Sequence, residues 1–178
     1  MPRLNVVSPE KATGKTQDLY AAITRAVGAV PNLYQGVANS PAALAAELGI
    51  GEALRSGKLS PAEVETVKLV VSQAYDCTYC QAAHTLLGKK AGLSEGETIL
   101  IRKGAASTPK ASALVAFTQA LLQPAARLTD EQLQALRAAG YSDAQITEIV
   151  LVIAQTVFTN LFNRVHQTPL DFPAAPSL

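Results

Sequence analysis

Along most of the chain, apolar residues recur at helical spacing in segments that each open on a helix-start signal. Ser60-Pro61-Ala62-Glu63 is the clearest. It offers a cap serine, proline at the first helical position, and a glutamate placed to reach back to the cap backbone. Ser94 with Glu97, Thr129 with Gln132 and Ser142 with Gln145 repeat that spacing. Ser40-Pro41 and Thr108-Pro109 add two cap-and-proline starts, while Gly92, Gly104 and Gly140 fit helix stops. The pattern predicts helices over about 14–29, 41–55, 61–75, 77–91, 95–104, 109–122, 130–139 and 143–165. Strand signals shrink to Val6 and Val7, and Pro169, Pro173 and Pro176 make the tail extended. The expectation is an all-α fold of about eight helices. It forms a single domain over residues 1–178, with an extended N-terminal segment 1–12 and a C-terminal tail 168–178.

Composition narrows the class. Hydrophobic residues make 48% of the 178 and charged residues 16%, which fits a chain with a real core and excludes disorder. A mean hydropathy of +0.16 is somewhat apolar for a monomer and points to a homo-oligomer. The net charge is +1 with no basic run, so neither nucleic acid nor an anionic membrane is expected as a partner. The opening MPRLNVVSPEK lacks the apolar core of a secretory signal, so the expected location is cytoplasmic. Ile149 to Phe158, the most apolar stretch, is too short to span a bilayer and contains Gln155. Ala12-Thr13-Gly14-Lys15-Thr16 ends like a phosphate-binding loop, but Ser8 stands where the earlier glycine belongs. It reads as a helix start.

The chemistry concentrates in YDCTYCQAAH, residues 75–84, which holds both cysteines of the chain and one of its two histidines. On a helix beginning near Asp76, Cys77, Cys80 and His84 fall within about 60° of one another. Cα atoms three apart on a helix lie roughly 5 Å apart, inside the range a disulfide accepts. The unpaired N–H groups of a helix start favour thiolate at Cys77 and Cys80, and Asp76 opposes them. His84, one turn beyond Cys80, can exchange a proton with that sulfur. A structural zinc needs a fourth ligand, and His166 lies far away in sequence. A thioredoxin-type site needs a βαβ unit, and simple packing of two small thiols stays open beside these. The favoured reading is a helical redox dithiol, without metal or cofactor.

A carboxylate should orient the histidine. Glu63 is occupied as the partner of Ser60, whereas Glu65 points roughly 200° away from it. If helices 61–75 and 77–91 pair antiparallel about Asp76, Glu65 comes level with Leu87 and Gly88. A relay Glu65–His84–Cys80 is then within reach.

The pattern Glu65-x11-Cys77-Thr-Tyr-Cys80-x3-His84 resembles the active-site motif of AhpD-type alkylhydroperoxidases, in the carboxymuconolactone decarboxylase-like superfamily. Gly28-Ala-Val-Pro31-Asn32-Leu33 with Asn39-Ser40-Pro41-Ala42 is similar to the amino-terminal signature of its peroxidase-related branch. Gly140-Tyr141-Ser142-Asp143, Asn160-x2-Asn163 and Asp171-Phe172-Pro173 resemble its carboxy-terminal half. The resemblance implies a helical fold assembling as trimers or hexamers and a small-molecule peroxide as substrate. It makes Cys80 the peroxidatic thiol, Cys77 the resolving one, and Glu65 with His84 the proton relay. A separate thiol donor would reset the pair. Tyr79 stands where the AhpD prototype has a second histidine, and a phenol with a pKa near 10 can donate a hydrogen bond but not take a proton at neutral pH. The alternatives are a disulfide reductase acting on a protein or lipoyl dithiol, and a non-catalytic helical protein binding zinc or a partner.

The last helix carries Gln155, Thr156, Thr159, Asn160 and Asn163 among apolar residues. Interhelical or intersubunit hydrogen bonding is the expectation for these amides, and a surface or helix-end position is the expectation for His166.

Overall fold

The computed structural model of the chain describes residues 1–123 and 127–178. Among them are nine α-helices and no strand, after a 3-10 turn at Pro9–Lys11. They are α1 (Gly14–Val27), α2 (Asn32–Val37), α3 (Pro41–Arg55), α4 (Pro61–Ala74) and α5 (Thr78–Lys90). There follow α6 (Glu95–Arg102), α7 (Pro109–Leu121), α8 (Asp130–Ala138) and α9 (Asp143–His166). The all-α expectation holds, with one helix more than the eight expected. The addition is α2, six residues after Pro31, too short to show a helical period.

The helix starts form as the sequence predicts. Ser40, Ser60, Ser94, Thr108, Thr129 and Ser142 each accept the backbone N–H three residues on. The reciprocal capping box closes at Ser60, Thr129 and Ser142. At Ser94 it does not: Glu97 instead accepts from the Ser107 amide at 3.1 Å, fastening α6 to the approach of α7. Gly14 begins α1, as expected of a helix start rather than a phosphate loop.

Helix α4 is the most enclosed. It packs on α5, α6, α7 and α9, and its Glu65, Val67, Leu69, Val70 and Val71 are all buried. Val67 and Val71 join Leu54, Leu114, Phe117, Leu136, Ile149 and Val152 in the main core. Burying such side chains stabilises the fold by about 1.5–3 kcal/mol each. Leu69 and Val70 turn to a second cluster with Ile101 and Val115.

Helix α9 is longer than its most apolar stretch suggests, at 24 residues, and by length and composition alone it could cross a membrane. Its packing is that of a core helix on one face. Ile149 and Val152 are buried against α4, and Gln155, Asn160, Asn163 and His166 are buried too. The opposite face leaves Val150, Leu151, Phe158, Leu161 and Val165 exposed. His166 departs from the surface position expected of it: it is 1% exposed, stacked near Phe162 and against Gly36, where a Cβ would come within 2.7 Å of the ring. Its Nδ1 accepts from the Leu4 amide at 3.3 Å, which ties down the N-terminal segment.

Beyond α9 the tail runs without helix and is fastened at several points. Thr168 donates to the Asn163 side chain, and the Pro169 carbonyl accepts from Asn32 Nδ2 at 3.2 Å. Asp171 accepts from the Asn32 amide at 2.6 Å, and the Pro176 carbonyl accepts from Arg102 at 2.6 Å. The tail is thus a strap across the start of α5.

Candidate active site

The chain turns from α4 into α5 at Asp76, whose φ of +50° lies in the left-handed region that asparagine and aspartate tolerate best among side chains with a Cβ. That turn delays the helix. Cys77 is its cap rather than its first residue, and the Cys77 Sγ accepts from the Cys80 amide at 3.2 Å. Cys77 and Cys80 form a disulfide with Cα atoms 5.2 Å apart, in the range expected from helical spacing. Both sulfurs are held in a small apolar pocket with Tyr79, Leu33 and Phe172.

His84 sits one turn past Cys80 on α5, and its Nδ1 lies 2.9 Å from Glu65 Oε2 on α4. The antiparallel pairing of α4 and α5 brings them together. Gly88 flanks Glu65 closely enough that an added Cβ would lie 3.8 Å from Glu65 Cβ and 3.1 Å from Leu93. Lys68 Nζ stands 3.5 Å from the other Glu65 oxygen. Burial pushes the Glu65 carboxyl up, but His84 and Lys68 together outweigh it and hold it below the usual carboxylate range. Glu63 keeps to its cap, accepting from the Ser60 amide at 2.8 Å, with Lys110 as an ion partner.

Tyr79 is an anchor for the surrounding segments. Its hydroxyl accepts from the Leu33 amide at 3.3 Å, and Phe172 meets its ring edge-on at 5.5 Å. Burial, with Asp171 beside it, raises its pKa far above the ordinary value, so it stays a neutral phenol.

The sequence suggests interhelical or intersubunit hydrogen bonding for Asn163, and the structure shows an interhelical bond whose partner is a sulfur of the disulfide. Asn163 Nδ2 donates to Cys80 Sγ at 3.2 Å and approaches Cys77 Sγ at 3.8 Å. Asn160 bonds within its own helix, to the Thr156 carbonyl at 2.7 Å, leaving its Oδ1 buried without a partner. Beside these residues opens a cavity of about 330 Å³ lined by Tyr75, Cys77, Tyr79, Asn160, Asn163 and Arg164. A larger cavity of about 500 Å³ lies around Arg102 and Gln119, away from the sulfurs. No group of three or more His, Cys, Asp or Glu side chains among the described residues is arranged to hold a metal.

The fold and the site define an all-helical protein whose CxxC pair opens one helix while a His–Glu pair bridges that helix to its neighbour. Residues 41–123 match the carboxymuconolactone decarboxylase family, and the chain has the AhpD-like fold. An uncharacterised peroxidase-related protein from Ralstonia eutropha with an AhpD core superposes with a TM-score of 0.86 at 19% identity, over 96% of this chain and 92% of its own. A peroxidase-related protein from a Silicibacter species gives 0.78 at 19% identity, over 95% and 94%. A debrominase in complex with 2,3,4-tribromopyrrole gives 0.77 at 18% identity, over 96% and 94%. No curated protein matches the chain.

Proposed function

We propose that the protein is a thiol-dependent peroxidase acting on a small organic hydroperoxide. The observation that carries this reading is the closed Cys77–Cys80 disulfide with the His84–Glu65 pair one turn further along the same helix. Cys80 attacks the O–O bond as thiolate, releasing an alcohol and becoming a sulfenic acid. Cys77 then attacks the Cys80 sulfur, water leaves, and the disulfide closes before over-oxidation. His84, oriented by Glu65, takes the Cys80 proton and returns it to the departing alkoxide. The disulfide is opened again by an external thiol donor, and the cycle calls for no metal or cofactor.

The protein works in the cytoplasm as a homo-oligomer, a trimer or hexamer. The exposed apolar residues of α9, from Val150 to Val165, support such an assembly, because they form a stripe along one helix face. A second reading, exchange with a protein or lipoyl dithiol, is favoured by Cys77 facing the cavity.

A free-thiol count on reduced protein, before and after one equivalent of an organic hydroperoxide, tests the first reading. The expected result is loss of both thiols with the mass of two hydrogens, abolished in Cys80→Ser. Thiols untouched by peroxide but consumed by a dithiol-exchange partner would establish the second reading instead. Consumption by a bromopyrrole alone would move the protein toward the debrominase's chemistry.

A further inference from the structure

The two sulfurs of the disulfide sit in different surroundings. Cys77 caps α5 and lines the cavity, and a charge on it meets the N-terminal amides of the helix. Cys80 lies inside the first turn, 2% exposed, and its own amide is already given to Cys77. A charge on Cys80 would therefore be buried with no backbone donor, an arrangement that is strongly unfavourable unless a side chain supplies one.

Asn163 supplies it, at 3.2 Å from Cys80 Sγ across the α5–α9 contact. Its orientation is fixed, because the Thr168 hydroxyl donates to its Oδ1 and so turns the NH2 end toward the sulfurs. Asn163 is itself buried, and it lines the same cavity as Cys77.

We propose that Asn163 is a catalytic residue of thiol–disulfide exchange: its amide takes up the charge on the Cys80 sulfur, so that a small thiolate entering the cavity attacks Cys77. The incoming sulfur bonds to Cys77 Sγ, the Cys77–Cys80 bond breaks, and its electron pair goes to Cys80, which leaves as a thiolate bonded by Asn163 Nδ2. A second thiol then attacks the incoming sulfur, releasing the donor as its disulfide and Cys77 as a thiolate under the helix N-terminus. The protein pair gains two electrons and the two thiols lose two. The proposal rests on the redox role of the pair given above. It adds the sulfur attacked, the group that stabilises the leaving sulfur, and a small thiol as reductant.

The test uses no peroxide, so its outcome stays separate from that of the peroxidase reading. Oxidised protein is mixed with β-mercaptoethanol, quenched with acid and mapped by mass. The adduct is expected on Cys77, and an adduct on Cys80 overturns the proposal. In a Cys77→Ser background, Asn163→Leu should raise the pH at which Cys80 ionises, read by thiolate absorbance, by about one unit or more. In a Cys80→Ser background the same substitution should move Cys77 by less than half as much. Equal movement of both thiols, or none at Cys80, would reduce Asn163 to a packing residue. If Asn163→Leu does not fold, Thr168→Val, which frees the amide to turn, should move Cys80 in the same direction by less. No movement there overturns the proposal as well.

Discussion

Glu65 and Glu47 are the same residue type, both almost wholly buried, and the fold treats them in opposite ways. Glu65 lies between His84 and Lys68, and both of its oxygens have a cationic or ionisable partner. Glu47 on α3 meets Gln155 of α9, which donates to its Oε1 at 3.0 Å, and its Oε2 has no partner. Burial dominates at Glu47, only partly offset by Lys68 and Gln155, and raises its pKa to about 7. Burial alone does not decide whether a carboxylate keeps its charge; the number of donors facing it does. Glu65, held ionised, is paired with His84, and Glu47, its pKa raised, meets Gln155 between α3 and α9.

That contrast is broken most severely in activity. Glu65→Gln should slow peroxide-driven thiol oxidation by about 10²-fold or more, the scale of a lost proton-transfer residue, whereas Glu47→Gln should leave it within about twofold. Stopped-flow loss of thiol absorbance in the two variants decides this, and equal rates would remove Glu65 from the relay.

Stability should separate them next, with opposite signs. Between its ordinary value of 4.5 and about 7, folded Glu47 holds a proton that the unfolded chain has released. Wild-type stability therefore falls as pH rises through that window. Glu47→Gln keeps the bond to Gln155 and should stabilise the protein by up to about 3 kcal/mol at pH near 8, fading toward zero below pH ~4. Denaturant melts at the two pH values check it; an equal gain at both would mean the carboxyl is not protonated in the fold.

Glu65 runs the other way. Its depressed pKa gives stability that is present above the ordinary value of 4.5 and lost as pH falls through the lower folded value. Glu65→Gln should cost about 1–3 kcal/mol at neutral pH, and progressively less under acid, in the same melts. The smallest effect falls on the residue the two carboxylates share. Lys68→Met should destabilise by about 1 kcal/mol or less and raise both carboxyl titrations when followed by NMR. A rise at Glu65 alone would show that Lys68 does not reach Glu47's field.

Of this pair, only Glu65 was legible in the sequence. It lies 19 residues from His84 on the adjoining arm of a short hairpin, so helical period and pairing direction suffice to bring them level. Glu47 owes its state to Gln155, 108 residues away, and no local pattern encodes that meeting. The same divide runs through the rest of the molecule. Cap serines and threonines were readable because capping is settled within four residues. Glu97, which had a choice between its own cap and the Ser107 amide, took the distant one. His166 was misplaced because a terminal histidine looks solvated until Gly36 is known to face it. Asn163 could be singled out as a polar residue on an apolar helix, but not as the residue touching Cys80.

The contact between Asn163 and Cys80 spans 83 residues of chain, and that has a bearing on the protein's birth. At about 5–20 residues per second, a ribosome makes Asn163 roughly 4–17 seconds after Cys80. Through that interval the two thiols differ by their places at the helix start alone, without the α9 amide that lies beside Cys80. The part of their surroundings that α9 supplies arrives only when that helix docks, so a nascent chain carries the dithiol before its site is complete.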